Sequence, residues 1–313
     1  MLQLLLGGSG SGKTTLLYQR IRTRAEKGEK SILLVPEQFT SSTEGRIYRE
    51  LGDALSGMVE SFSFTSLAEK ILSTEGGAAV QTLSDAGRAV LVRRALEELQ
   101  DNVHYYHRHR RSAAFCQMAA QTIDELKSAG LSGQQLAQLA GACGAESGKL
   151  SELALIFQGY ETLLARSGMD PSDRLELAGA RLEEALARHS LPEFLRDRAV
   201  FIDEFDTFNA PKKRLLGAML AALPSVTVAL CDDGAPLLPG DLSLFSGAKQ
   251  VAAQLRQLAR KNGAEVAVPQ LLRKDLRHRN APGLAAVAEL LETGSCTCLL
   301  YTSDAADDLT RVD

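Results

Sequence analysis

Near the start of the chain stands Gly7-Gly8-Ser9-Gly10-Ser11-Gly12-Lys13-Thr14, which fits G-x-x-x-x-G-K-[ST] in full. Glycines at this density let backbone N–H groups turn inward onto a β-phosphate. The lysine reaches the β- and γ-phosphates, and the threonine hydroxyl ligates Mg²⁺. The expected cofactors are therefore ATP and Mg²⁺. The expected nucleotide-binding residues are Gly7, Gly8, Ser9, Gly10, Ser11, Gly12, Lys13, Thr14 and Thr15. Such a loop needs an acidic residue at the end of a neighbouring strand, and Val200-Phe201-Ile202-Asp203-Glu204 supplies one. Asp203 joins Thr14 as the expected Mg²⁺ residue. Glu204 is the expected catalytic group, polarising the attacking water. The plainer readings are a glycine-rich turn and a strand-ending acidic pair without a role.

Other polar strings carry less. His104-Tyr105-Tyr106-His107-Arg108-His109-Arg110-Arg111 mixes cations with aromatics. Arg108, Arg110 and Arg111 are candidate DNA contacts, and the same string reads equally as a solvated connection between helices. Arg273-Lys274 and Arg277-His278-Arg279 pose the same choice. Asp232-Asp233 is either a phosphate sensor or an exposed strand end. Leu131-Ser132-Gly133-Gln134-Gln135 imitates the signature loop of ABC transporter ATPases, but the acidic strand follows too far on. Ser132 as an N-cap with Gln135 as its capping-box partner explains it.

These residues need a scaffold. Leu2–Leu6 reads as a strand, Lys13–Glu26 as a helix, Ser31–Val35 and Met58–Phe62 as further strands, with Ser66 and Glu69 as a capping box. Strands alternating with helices predict a parallel sheet covered on both faces. From Ser84 to about His189 the pattern turns helical, with faces such as Leu153, Phe157, Tyr160 and Leu164, and a helix start at Asp170-Pro171. Strand chemistry returns at Ala199–Ile202 and Val226–Leu230. A helix at Gly247–Lys261 and a weak strand near Ala264–Val268 follow. The expectation is an α/β core, residues 1–83 and 196–294, interrupted by an all-helical insertion, residues 84–195.

The 313 residues carry a net charge of −4, and the acidic segment 295–313 accounts for most of it. A near-neutral chain has no bulk signature of nucleic-acid binding, so any such contact must be a local patch. Cys116, Cys143, Cys231, Cys296 and Cys298 form no zinc pattern and read as free thiols. No apolar run approaches the ~18 residues of a membrane span. The apolar start is too short for a signal peptide, so a cytoplasmic location is expected.

Leu34-Val35-Pro36-Glu37-Gln38-Phe39-Thr40, Ser61-Phe62-Ser63-Phe64 and Phe201-Ile202-Asp203-Glu204-Phe205 resemble the N-terminal part of the AddB family of ATP-dependent helicase/deoxyribonucleases. The resemblance runs from Met1 to about Gly294. It implies a RecA-like P-loop NTPase fold of superfamily-1 helicase type, with a 1B-like helical insertion. It also implies DNA ends as substrate, recombinational repair, and AddA, a helicase/nuclease, as heterodimer partner. The family's nuclease domain and iron–sulfur cluster correspond to nothing in this stretch, and no cluster is expected here. Taken alone, the stretch is expected to bind ATP with slow hydrolysis and to lack helicase and nuclease activity. The superfamily's glycine-aspartate-x-x-glutamine motif is replaced by Cys231-Asp232-Asp233-Gly234. Residues 295–313 resemble translated adapter sequence and are expected to be non-native. The competing readings are a stand-alone P-loop ATPase or kinase, and an ATP-binding scaffold without turnover.

Overall fold

The computed structural model describes residues 1–77, 79, 81–144 and 147–293. Segment 295–313, including Cys296 and Cys298, lies outside the described residues. The core is a six-stranded, all-parallel sheet of β1 (Leu2–Gly7), β2 (Ser31–Leu34), β3 (Val59–Phe62), β4 (Ala199–Ile202), β5 (Ser225–Cys231) and β6 (Gln270–Leu272). Its order is β3-β2-β4-β5-β1-β6. The phosphate-loop strand and the acidic strand are thus separated by β5 alone. This arrangement is α/β and consistent with a RecA-like fold.

The strands read as continuous apolar runs because both faces are covered, as parallel sheets require. Alternate residues sort cleanly. Leu2, Leu4, Leu6, Ile32, Leu34, Val200, Ile202, Val226 and Val228 share one face. That face is packed by α4 (Phe64–Glu75), α9 (Pro171–Ala187), α10 (Ala210–Ala222) and α11 (Ser246–Lys261). Leu5, Leu33, Phe201 and Ala229 point the other way, against α1 (Lys13–Glu26), α2 (Thr40–Leu51) and the short α3 (Asp53–Ser56). This is the period of two expected of strands, read on several elements at once.

A separate apolar cluster is built by α5 (Asp85–Glu98), α6 (Ala113–Ser128), α7 (Gly133–Ala140) and α8 (Ser147–Ser167). The last helix of the helical block behaves differently. In α9, Leu175, Ala178 and Leu182 belong to the sheet's own cluster, and Arg174 pairs with Glu69 on α4. By packing, α9 is a core helix. Periodicity alone gave no sign of this, since it reports that a helix has an apolar face and not what the face meets.

Two local expectations shift, and a third holds with its acid engaged elsewhere. The start of α4 is Ser63, whose hydroxyl accepts from Ser66 N while Ser66 Oγ accepts from Ser63 N. The box is Ser63–Ser66, and Glu69 is free to reach Arg174. At α9 the start at Pro171 holds, but Asp170 makes no cap. Its carboxylate instead accepts from Tyr160 Oη at 2.6 Å and Lys127 Nζ at 2.8 Å. The weak final strand moves to Gln270–Leu272, with only an isolated bridge between Leu2 and Val266 before it. Pro269 intervenes, and proline donates nothing to a ladder.

Candidate phosphate and metal site

The loop after β1 closes through two left-handed glycines, Gly10 at φ 79° and Gly12 at φ 89°. A side chain at either position would be strained whatever the space. At Gly10 it would also lack room, because a Cβ there would lie 2.7 Å from Arg277 Cβ. Gly12 is the N-cap of α1 and offers no capping side chain, so the N–H groups of the first turn are left for a ligand. Lys13 folds back over the loop, its Nζ donating to Gly7 O and Gly8 O, both at 2.7 Å. Ser11 Oγ is buried and, among the described residues, has no hydrogen-bond partner.

β4 delivers the acidic pair to the same place. Asp203 is only 6% exposed, and its backbone N–H continues the ladder to Leu34 O at 3.1 Å. Burial raises its carboxyl above the usual range. A hydrogen bond from Thr14, the Glu204 N–H, and the charges of Arg46 and Lys13 pull the other way. Glu204 adopts a left-handed backbone at φ 63°, and its N–H donates to Asp203 Oδ1 at 3.1 Å. Its carboxyl is also raised, first by burial and then by the Asp203 charge.

A cleft of about 500 Å³ joins these groups. Ser9, Gly10, Gly12, Lys13, Thr14, Thr15, Asp203 and Glu204 line it. Gly7, Gly8 and Ser11 line the neighbouring cavity on the other side of the loop, together with Asp232 and Asp233. Asp232 is buried, with Oδ1 accepting from Gly234 N at 2.7 Å, and Asp233 pairs with Lys249. Neither aspartate of that pair lines the cleft that holds Thr14. Arg108, Arg110 and Arg111 lie on the α5–α6 connection and line neither cavity.

Two cations in the cleft were not singled out for it by the sequence. Arg46 on α2 stacks over the Tyr18 ring at 4.9 Å, and burial pushes the Tyr18 hydroxyl up to about 12. Arg277 reaches the loop from the far end of the chain, Nη1 donating to Ser9 Oγ at 3.1 Å, and Leu276 N donates to Gly10 O at 3.0 Å. No spacing rule joins residues so far apart. Arg46→Ala is expected to weaken nucleotide binding about fivefold, a smaller effect than losing the loop lysine, because a half-exposed cation is partly screened. Titration of nucleotide into the variant checks this.

The donor set fits a nucleotide with its metal. Open N–H groups, a lysine and two arginines face the cleft, and a hydroxyl beside a buried carboxylate suits a small hard cation. Among the described residues no three His, Cys, Asp or Glu side chains gather into a self-sufficient metal site. A Mg²⁺ ion here would take its remaining oxygens from phosphate and water, its usual habit in such sites.

Among the described residues no helix is long and apolar enough to cross a membrane, and Cys116, Cys143 and Cys231 are free thiols. The family described as "ADDB, N-terminal" matches residues 4–288. The chain is 34% identical over 91% of its length to the B subunit of the ATP-dependent helicase/deoxyribonuclease of Desulforudis audaxviator. It is 32% identical to the protein of the same name from Moorella thermoacetica, and 31% to that from Symbiobacterium thermophilum. It spans about a quarter of the length of these relatives. By the extent of that match, and with the acidic strand and the loop lysine meeting in one cleft, the chain belongs to the AddB N-terminal family.

Proposed function

We propose that this domain binds ATP with Mg²⁺ as the N-terminal, helicase-like part of a protein that processes DNA double-strand ends in recombinational repair. In this reading its heterodimer partner is AddA, a helicase/nuclease, and it works in the cytoplasm. The observation that carries the proposal is the meeting of Lys13, Thr14, Asp203 and Glu204 in one cleft. The names of the relatives support the DNA and heterodimer part.

The residues divide the work by chemistry. Backbone N–H groups of the loop and the Lys13 ammonium neutralise phosphate oxygens. For this Lys13 leaves the Gly7 and Gly8 carbonyls. Thr14 and Asp203 would hold the metal, which would neutralise phosphate charge when bound. Glu204 orients and polarises water at the outer phosphate. Its raised carboxyl suits a group that accepts a proton.

Calorimetric titration of ATP, with Mg²⁺ and with chelator, tests the assignment. The native chain is expected to bind more tightly with Mg²⁺, and Asp203→Asn to erase that difference. An undiminished Mg²⁺ effect in Asp203→Asn places the metal elsewhere and sinks this reading. The same substitution is expected to raise the melting temperature of the ligand-free chain. The raised folded-state carboxyl means that folding opposes ionisation, so the native protein loses stability as pH rises through the ordinary aspartate range towards the raised value. Asparagine carries no such penalty.

A further inference from the structure

We propose that the connection between α5 and α6, Val103 to Ser112, is a preformed contact for the phosphodiester backbone of a nucleic acid, locked in shape by the buried carboxylate of Glu152. The proposal rests on the reading that this protein handles DNA, and it names where one strand is gripped.

Glu152 lies on α8 and is 6% exposed. It takes its hydrogen bonds from three successive backbone N–H groups. Oε1 accepts from His104 N at 2.8 Å and Tyr105 N at 3.0 Å. Oε2 accepts from Tyr105 N at 2.8 Å and Tyr106 N at 3.3 Å. A buried carboxylate is costly unless hydrogen bonds replace its water. Successive N–H groups converge on one anion only when the backbone is curled into a nest. The segment is thus held at its middle by an anion that the protein itself supplies.

Its flanks are held as well. Val103 is buried, Tyr106 stacks on Phe115 at 5.3 Å, and Ser112 caps α6 by accepting from Phe115 N. Tyr105 packs against Gly148, where a Cβ would come within 2.9 Å of the ring, yet it remains 57% exposed. A merely solvated connection has no need of a buried carboxylate.

The fixed loop displays cations without counterions. From His104 to Arg111 there is no acidic residue. Arg108 and Arg111 are exposed and Arg110 is half-buried. Among the described residues none of the three has an ion-pair partner, whereas Arg88, Arg93 and Arg94 on the preceding helix are all paired. Unpaired guanidinium forks on a rigid backbone suit phosphate oxygens, because little freedom is lost on contact. In a near-neutral chain such a patch is where a polyanion would settle.

The experiment is fluorescence anisotropy of the 313-residue chain with labelled blunt duplex and labelled single strand, over a range of salt. R108A/R111A is expected to weaken binding about tenfold and to make the slope of log affinity against log salt shallower by about two. Melting and ATP titration of the variant should match the native chain. Glu152→Gln discriminates further. It removes a negative charge, so a purely net-charge effect would tighten DNA binding. The proposal expects several-fold weaker binding and faster hydrogen exchange at the Tyr105 and Tyr106 amides. If Glu152→Gln does not fold, the arginine variant decides alone. A loss confined to one probe identifies the strand form gripped. If the native chain binds DNA and R108A/R111A binds equally with the same slope, the loop proposal is wrong and the wider reading stands. If the native chain binds neither probe at low salt, the DNA reading fails and the loop with it.

Discussion

Lys13→Ala is expected to weaken ATP binding by about 1.5–3 kcal/mol, roughly ten- to a hundredfold, while leaving the fold intact. The two halves of this expectation have different physical grounds. The affinity loss follows from removing the full positive charge that Lys13 holds over the loop, where a charge-assisted contact to phosphate is strong. The intact fold follows from what Lys13 does without a ligand. Its ammonium donates to two carbonyls of its own loop, Gly7 O and Gly8 O. Water can replace those bonds at a half-exposed site, so little stability is lost. Titration of ATP with Mg²⁺ gives the first quantity and thermal melting the second. An affinity within about twofold of the native chain would mean that phosphates do not sit on this loop.

Much of the site was legible because its signals are local. The loop, its lysine and its threonine occupy consecutive positions, and the strand-to-helix flanks are the strand read at Leu2–Leu6 and the helix read at Lys13–Glu26. Asp203 was legible one step further, through an apolar strand that ends in acid. What joins them is the sheet order, and β4 and β1 straddle β5 for reasons no single segment states. The unforeseen members came from contacts across long sequence distances. Arg277 meets Ser9, and Leu276 roofs Gly12, because β6 pairs with β1 and throws the next turn over the loop. Arg46 was hidden differently. It sits mid-helix among polar neighbours, and only the stack on Tyr18 marks it. Nothing in the sequence marks Glu152, since a glutamate that turns inward to bind backbone leaves no trace in spacing.

The helical block supplies the second large effect. Phe157→Ala is expected to cost about 3–5 kcal/mol of stability in the insertion and to leave ATP affinity within about twofold. Phe157 is fully buried in the cluster that α5, α6, α7 and α8 build, beside Val92, Ile123 and Tyr160. Removing a ring there loses its burial and opens a cavity that helices pinned by their other contacts cannot fully close. The cleft lies elsewhere. Its strands and α1 belong to clusters that share no buried residue with this one. Between the insertion and the core, Lys127 is held by Asp170 and Asp173, and Tyr160 Oη donates to Asp170. Denaturation followed by far-ultraviolet circular dichroism should therefore show an early helical loss in the variant, preceding a transition at the native position. Nucleotide titration below that early step should be unchanged, while DNA binding through the Val103–Ser112 loop, which depends on α8 for Glu152, should fall with the insertion. A single transition that shifts as a whole, with a matching loss of ATP affinity, would show that the helical cluster and the nucleotide cleft fold as one unit.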